Sequence, residues 1–214
     1  MLEIKDGRLS AGERLLFSNL SLRIDNGSIC CLMGESGCGK TSLLKAVMGF
    51  HQLNEGVISI DGELLTPSSA ESFRKSTAYL PQELSLPTEW VSEMVSMPFS
   101  LKQNKSVSFS TDLLFHEWEL LGLSPHLYEK KVRELSGGER QRIMLSLCGM
   151  LSKTLILADE PTSALDSEST LRVASYLRRQ ADRGAAILVV SHDRDLSRQC
   201  DTIVTLAPDT PPTV

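Results

Sequence analysis

A phosphate-binding loop is predicted at residues 34–41, where glycines are followed by a lysine and a threonine. A buried strand (residues 29–33) precedes this loop and a helical pattern follows it. Glycines let backbone N–H groups curl around phosphate oxygens, and the helix N-terminus adds partial positive charge. Lys40 would contact the β- and γ-phosphates of a nucleotide, and the Thr41 hydroxyl would ligate Mg²⁺. The predicted nucleotide contacts are Gly34, Glu35, Ser36, Gly37, Cys38, Gly39, Lys40, Thr41 and Ser42.

A second glycine-rich segment opens a helical run at residues 139–151. It consists of Ser136, Gly137, Gly138 and Glu139. Glycines at a helix N-terminus again leave backbone N–H groups free for an anion. The sequence therefore predicts two phosphate-binding helix ends, far apart along one chain.

Two adjacent carboxylates, Asp159 and Glu160, follow the apolar run at residues 155–158. Taken alone, such a pair is typical of a loop start or a helix cap. A lone histidine such as His192 is typical of a surface or core position, and Gln82 alone carries no meaning. Their joint order and spacing with the two glycine-rich segments indicate a functional site.

Residues 135–142, Leu-Ser-Gly-Gly-Glu-Arg-Gln-Arg, resemble the signature sequence of the ATP-binding cassette (ABC) family. Residues 155–160 resemble the family's Walker B strand, and residues 163–166 resemble its D-loop. His192 stands at the position of the family's switch histidine, and Gln82 at that of its Q-loop glutamine. The resemblance extends over nearly the whole chain, and short motifs near its middle and end are loosely similar to small iron-export cassettes.

The resemblance implies a role for each of these residues in ATP hydrolysis. Glu160, His192 and Gln82 would be catalytic, with Glu160 orienting or deprotonating the attacking water. Thr41, Gln82 and Asp159 would hold or sense Mg²⁺.

The resemblance also implies that two cassettes join head to tail around two ATP molecules. In that dimer, Ser136 and Gly138 would reach the γ-phosphate bound by the second cassette, with Gly137 and Glu139 beside them. Asp166 would cross the interface. The expected partners are this second cassette, in a homodimer, and a separate transmembrane permease.

Strands and helices alternate along much of the chain, which predicts an α/β fold with a mainly parallel sheet. The family resemblance implies a P-loop NTPase core with an N-terminal antiparallel β subdomain and an inserted helical subdomain. We expect a single ATP-binding domain at residues 2–207. The helical subdomain would occupy about residues 83–134, followed by the signature helix from 135–151, and residues 208–214 would form a frayed tail.

Composition narrows the function classes. The 214 residues carry a net charge of -5, which argues against nucleic acid as the main partner. No apolar run reaches the roughly 20 residues of a membrane span. Five cysteines in no metal-finger spacing favour reduced thiols. We expect a cytoplasmic protein, peripheral on the cell membrane, that drives transport by the permease. The alternative is a non-transport ABC ATPase controlling a membrane-bound complex, or a regulatory ATP-binding module.

Three features depart from the family pattern or leave alternatives open. Ala11 stands where the family places an aromatic residue that stacks on adenine, which predicts weak adenine selectivity. Cys38 is either a small residue tolerated in a tight turn or a thiol whose alkylation blocks nucleotide binding. An apolar set either forms a groove for the permease or packs the helical subdomain itself: Trp90, Val91, Met94, Met97 and Phe99.

Overall fold

The computed structural model describes residues 1–83 and 88–207, so the predicted tail at 208–214 lies outside the described residues. Its strands are β1 (Leu2–Ala11), β2 (Arg14–Ile24), β3 (Ile29–Gly34), β4 (Glu55–Ile60), β5 (Glu63–Leu64), β6 (Thr77–Leu80), β7 (Leu155–Asp159), β8 (Ala186–Val190) and β9 (Thr202–Leu206). Its α-helices are α1 (Lys40–Val47), α2 (Ala70–Ser76), α3 (Val91–Ser100), α4 (Thr111–Leu120), α5 (Gly137–Met150), α6 (Ser167–Asp182) and α7 (Arg194–Ser197).

A parallel sheet in the order β6-β7-β8-β3-β9 forms the centre of the fold. Every residue of β7 and β8 is buried, because helices cover both faces of the sheet. An antiparallel sheet in the order β2-β1-β4-β5 lies at the N-terminal side. The predicted α/β fold with a parallel core and an antiparallel β subdomain is confirmed.

Helices α3 and α4 form the inserted helical region and pack on α5. Trp118 of α4 is fully buried, and its indole N–H donates to the Ser146 hydroxyl of α5 at 3.2 Å. Val91, Met94 and Phe99 of α3 lie in the same apolar core. This region therefore uses most of its large apolar side chains to hold its helices against α5.

For the five apolar residues singled out in this region, the structure favours packing within the helical subdomain over a groove for the permease. Val91, Met94 and Phe99 are buried, so they cannot line a groove for a partner. Trp90 is 39% exposed, and the Lys131 ammonium lies 5.0 Å from its ring centroid. The core of the helical region takes three of the five side chains, which favours the packing alternative over the permease groove.

Candidate active site

The predicted site residues meet because four neighbouring parallel strands end at the same edge of the sheet. Gln82 follows β6, Asp159 ends β7, His192 follows β8, and the phosphate loop follows β3. The order β6-β7-β8-β3 puts these four strand ends side by side. In open α/β sheets, ligands bind at the carboxyl ends of the strands.

A cleft of about 800 Å³ lies at this edge of the sheet. Most of the predicted nucleotide-contacting and catalytic residues line it together, so the fold brings them to one place. The lining residues are Ala11, Leu16, Ser36, Gly37, Gly39, Lys40, Thr41, Ser42, Gln82, Asp159, Glu160, Thr162, Ser163, Leu165, His192 and Asp193.

The phosphate loop leads into α1 through a glycine that no other residue could replace without strain. Gly39 has a φ of 103°, and an added Cβ would lie 2.9 Å from the Cβ of Leu16. No side chain of the described residues caps the α1 N-terminus. The Lys40 ammonium donates to the carbonyls of Gly34 and Glu35 at 2.7 and 2.9 Å. The loop is thus held in shape by its own lysine, while the helix N-terminus stays open to an anion.

Thr41 and Asp159 are joined directly across the cleft floor. The Thr41 hydroxyl donates to Oδ2 of Asp159 at 2.7 Å. The other carboxylate oxygen, Oδ1, is buried and has no hydrogen-bond partner among the described residues. Burial raises the pKa of Asp159, although the bond from Thr41 and the charge of Lys40 oppose this. A carboxylate oxygen and a hydroxyl are ligands of the type that hard divalent cations take in proteins.

Glu160 and His192 form a pair at the cleft wall. Nε2 of His192 lies 3.3 Å from Oε1 of Glu160, and the His192 backbone N–H lies 3.4 Å from Oε2. Burial raises the pKa of the Glu160 carboxyl, and the nearby His192 partly offsets that shift. A carboxylate with a raised pKa next to an imidazole is suited to accept a proton from water.

The signature residues do not line this cleft but lie at the N-terminus of α5, packed against the turn that follows β7. Ser136 caps the helix by accepting from the Glu139 N–H at 3.1 Å. The Glu139 carboxylate accepts from the Ser136 N–H and hydroxyl at 2.8 and 2.9 Å. Partial burial opposes ionisation of Glu139, but these bonds from Ser136 lower its pKa overall. The chain therefore presents a second, self-capped helix end that does not line its own cleft.

Asp166 is used locally as the N-cap of α6. Its carboxylate accepts from the Ser169 N–H at 2.7 Å, and this bond lowers the pKa of Asp166. The charge of Arg142 on α5 lowers the pKa of Asp166 further.

Two of the departures from the family pattern can be placed in the structure. Ala11 lines the cleft, and no aromatic side chain occurs among its described lining residues. Cys38 is 2% exposed and belongs to an apolar cluster with residues of β3 and α1. Because its thiol is packed in that cluster, the structure supports the reading of Cys38 as a small residue fitted into a tight turn.

Several lining residues were not predicted from the sequence. Thr162, Ser163 and Leu165 lie in the turn between β7 and α6, and the Thr162 hydroxyl is buried without a partner among the described residues. Ser163 and Leu165 lie within the segment 163–166 that resembles the D-loop, although only Asp166 of that segment was named as a site residue, and Thr162 carries no sequence signal beyond its position after Glu160. Asp193, next to His192, also lines the cleft and caps α7.

Comparison with known families decides what this constellation is. The family model described as ABC transporter matches residues 17–163. The chain belongs to the ABC transporter family. The ATP-binding subunit predicted from the sequence is confirmed.

Relatives cover nearly the whole of this ABC chain. It is 29% identical to Probable iron export ATP-binding protein FetA of Escherichia coli strain K12, over 97% of this chain and 92% of that protein. It is 34% identical to Hemin import ATP-binding protein HmuV of Pseudomonas fluorescens strain Pf0-1, over 96% and 83%. It also matches the dimeric structure of MJ0796, a bacterial ABC transporter cassette, at 25% identity, with a TM-score of 0.81 over 96% and 94%.

Family membership gives this chain its general activity. It is an ATP-binding and ATP-hydrolysing subunit of an ABC transporter. The alternatives of a non-transport cassette or a regulatory module are not favoured by these relatives. The predicted partners, a second cassette and a transmembrane permease, are confirmed at the level of the family. Within residues 1–83 and 88–207, no helix is long and apolar enough to cross a membrane.

Proposed function

We propose that the cleft is one half of a composite ATPase site and that the signature end of a second copy completes it. The observation that carries this proposal is the separation of the two phosphate-binding ends. Lys40 and Thr41 line the cleft, whereas Ser136 and Gly137 are exposed at the N-terminus of α5 and do not line it. A head-to-tail pair would bring the signature of each copy to the cleft of the other.

Mg²⁺ fits the cleft floor. Thr41 and Asp159 offer a hydroxyl and a carboxylate oxygen, and the free, buried Oδ1 of Asp159 needs a partner. These two residues would hold the cation, with Gln82 on the lining nearby. When bound, Mg²⁺ neutralises charge on the β- and γ-phosphate oxygens.

The protein's own residues then position the water. Lys40 and the open α1 N-terminus bind the phosphates. Glu160 orients the attacking water and accepts its proton, while His192 holds the Glu160 carboxylate and faces the γ-phosphate. Phosphoryl transfer to water needs little more than this positioning and charge stabilisation.

The location proposed for this activity is the cytoplasmic face of a membrane, where ATP is available and a permease can be contacted. All five cysteines are free thiols in the structure, which supports a reducing compartment. The iron-export subgroup and the transported substrate stay predictions from the sequence.

Replacing Glu160 with Gln tests the assignment of the base. The Glu160→Gln variant keeps the shape and the contacts of the cleft but cannot accept a proton. We expect it to bind ATP, to remain dimeric with trapped ATP, and to lose about 10²-fold or more in kcat. Size-exclusion chromatography with ATP and a phosphate-release assay measure both effects. Hydrolysis at the normal rate would show that Glu160 is not the base.

The pH dependence of the wild-type rate gives a second check. Glu160 must be ionised to accept a proton, and its pKa is raised above the ordinary 4.5. The rate therefore falls as the pH is lowered through this raised pKa, so the acidic limb lies above pH 4.5. The Glu160→Gln variant should lack that limb in its residual activity. An acidic limb at or below 4.5 would contradict the environment described for Glu160.

A further inference from the structure

Gln141 lies between the signature helix and the catalytic carboxylate, although it belongs to neither predicted site. It stands on α5 and is 4% exposed. Its amide donates to the backbone carbonyl of Glu160 at 2.6 Å and lies 3.4 Å from the Ser163 hydroxyl. Because the Glu160 carbonyl can only accept, the amide nitrogen must face it. The amide orientation is therefore fixed by chemistry.

The backbone that Gln141 contacts is in an unusual conformation. Glu160 has a φ of 51°, in the left-handed region that residues with a Cβ rarely adopt. Its N–H donates to the Val190 carbonyl at 2.8 Å, so β8 holds one side of the peptide. Gln141 holds the other side through the carbonyl. Strained conformations persist only where the surroundings determine them, and they concentrate at functional sites.

The signature end of α5 and the segment after Glu160 are packed too closely for side chains to intervene. A Cβ added to Gly138 would lie 2.9 Å from the Ala164 carbonyl oxygen and 2.7 Å from Leu165. The helix start, the Glu160 backbone and the turn to α6 are thus in direct contact. The Gln141 amide makes a hydrogen bond across that contact, to the Glu160 carbonyl. The side-chain oxygen of Gln141, Oε1, is buried without a partner among the described residues.

We propose that Gln141 is a positioning residue that holds the Glu160 carboxylate in line with the attacking water and ties it to the signature end of α5. This inference rests on the proposed role of Glu160 as the base. Gln141 does not touch the cleft, so it acts only through Glu160. Loss of its bond lets the Glu160 backbone relax, and a displacement of about 1 Å at a catalytic group can cost about 10²-fold in rate.

Gln141→Met is the main test, because Met matches the shape of Gln without its amide. We expect kcat to fall about tenfold or more, with the Kd for ATP changed by less than about threefold. In a Glu160→Gln background the same substitution should cause almost no further loss, because the two residues act as a unit. Gln141→Glu, which turns an oxygen towards the Glu160 carbonyl, should lower kcat at least as much.

Gln180→Met is the matched control, since Gln180 is also 4% exposed and its amide nitrogen is buried without a partner among the described residues. Gln180→Met should leave kcat within about twofold, while it changes Tm by about as much as Gln141→Met does. The inference is overturned if Gln141→Met keeps the normal kcat. It is also overturned if the control loses equal activity or if the loss persists undiminished in the Glu160→Gln background. Normal hydrolysis by Glu160→Gln alone would instead overturn the proposed function.

Discussion

The two helix N-termini that are proposed to bind phosphate differ in how their first backbone N–H groups are capped. At α1 the cap is Gly39, and no side chain of the described residues bonds to the first backbone N–H groups. At α5, Ser136 and Glu139 cap each other, and a carboxylate occupies the N-terminus. One end is open inside a cleft, and the other is closed on an exposed surface.

The difference follows from where each end meets its ligand. The α1 end would bind a nucleotide held by the same chain. Its N–H groups face the cleft, so they need no side-chain cap before the nucleotide binds. The α5 end would meet a phosphate only when a second copy arrives, so its N–H groups need a partner until then. The capping box supplies that partner, and the Glu139 charge makes the arriving phosphate compete with it.

The largest effect is expected at the open end. Lys40→Ala removes the buried ammonium that shapes the loop and would contact the phosphates. We expect kcat/KM for ATP to fall by about 10²-fold or more, as for loss of a strong charged contact in a transition state. Steady-state ATPase assays measure this change.

Lys45→Ala on the exposed side of the same helix is the control, and it should retain activity within about twofold. Equal losses for the two lysines would show that α1 is simply destabilised. Retained activity in Lys40→Ala would mean that the cleft does not bind phosphate as described.

A tenfold effect on ATP affinity is expected where the cleft would receive the adenine ring. Ala11 offers no stacking surface, so ATP and GTP should bind with comparable affinities. Ala11→Tyr would add a ring against the base, and stacking on an aromatic is worth about 1–3 kcal/mol in nucleic-acid systems. Fluorescence titration should show ATP binding tightened about tenfold. Strong ATP preference in the unmodified chain would show that another side chain already stacks.

The smallest effect sharpens the comparison at the closed end. Glu139→Gln keeps an oxygen for the Ser136 N–H but removes the charge next to the arriving phosphate. A charge at a helix N-terminus is worth about 0.3–1 kcal/mol, so ATP-dependent dimerisation of the Glu160→Gln variant should strengthen about two- to fivefold. Analytical ultracentrifugation measures the dimer constant.

Glu134→Gln provides the matched control, because the Glu134 carboxylate likewise accepts from the backbone N–H three residues earlier, that of Lys131, at 3.1 Å. It should leave dimerisation unchanged. Weaker dimerisation in Glu139→Gln would mean that the carboxylate helps the interface instead of competing with the phosphate.

Apolar runs in the sequence predicted buried strands of the central sheet, and the motif positions predicted which residues form the site. No residue pattern predicted the first strand. β7 and β8 are short, largely apolar runs, as fully buried parallel strands require. The N-terminal antiparallel strands were expected only from the family resemblance, because β1 pairs irregularly with β2 and Asp6 has a φ of 50°, which breaks the polar–apolar alternation.

Within the site, motif spacing was enough to predict Lys40, Thr41, Asp159 and Glu160 but not their contacts. The bond from Gln141 to Glu160 joins two elements that only the packing of α5 on the sheet brings together. The competition between the Glu139 carboxylate and an arriving phosphate likewise depends on which surface the helix end faces. Local sequence patterns determine the helices and strands, whereas tertiary packing determines which of them contact one another.

Mixing two inactive variants tests the composite site most directly. Lys40→Ala keeps an intact signature, and Ser136→Ala keeps an intact cleft, so a mixed dimer contains one complete site. Each variant alone should be at least about tenfold less active than the wild type. An equimolar mixture should recover up to about a quarter of the wild-type ATPase rate, because half of the dimers are mixed and each of those has one of two sites. A mixture no more active than its two components would contradict the composite site.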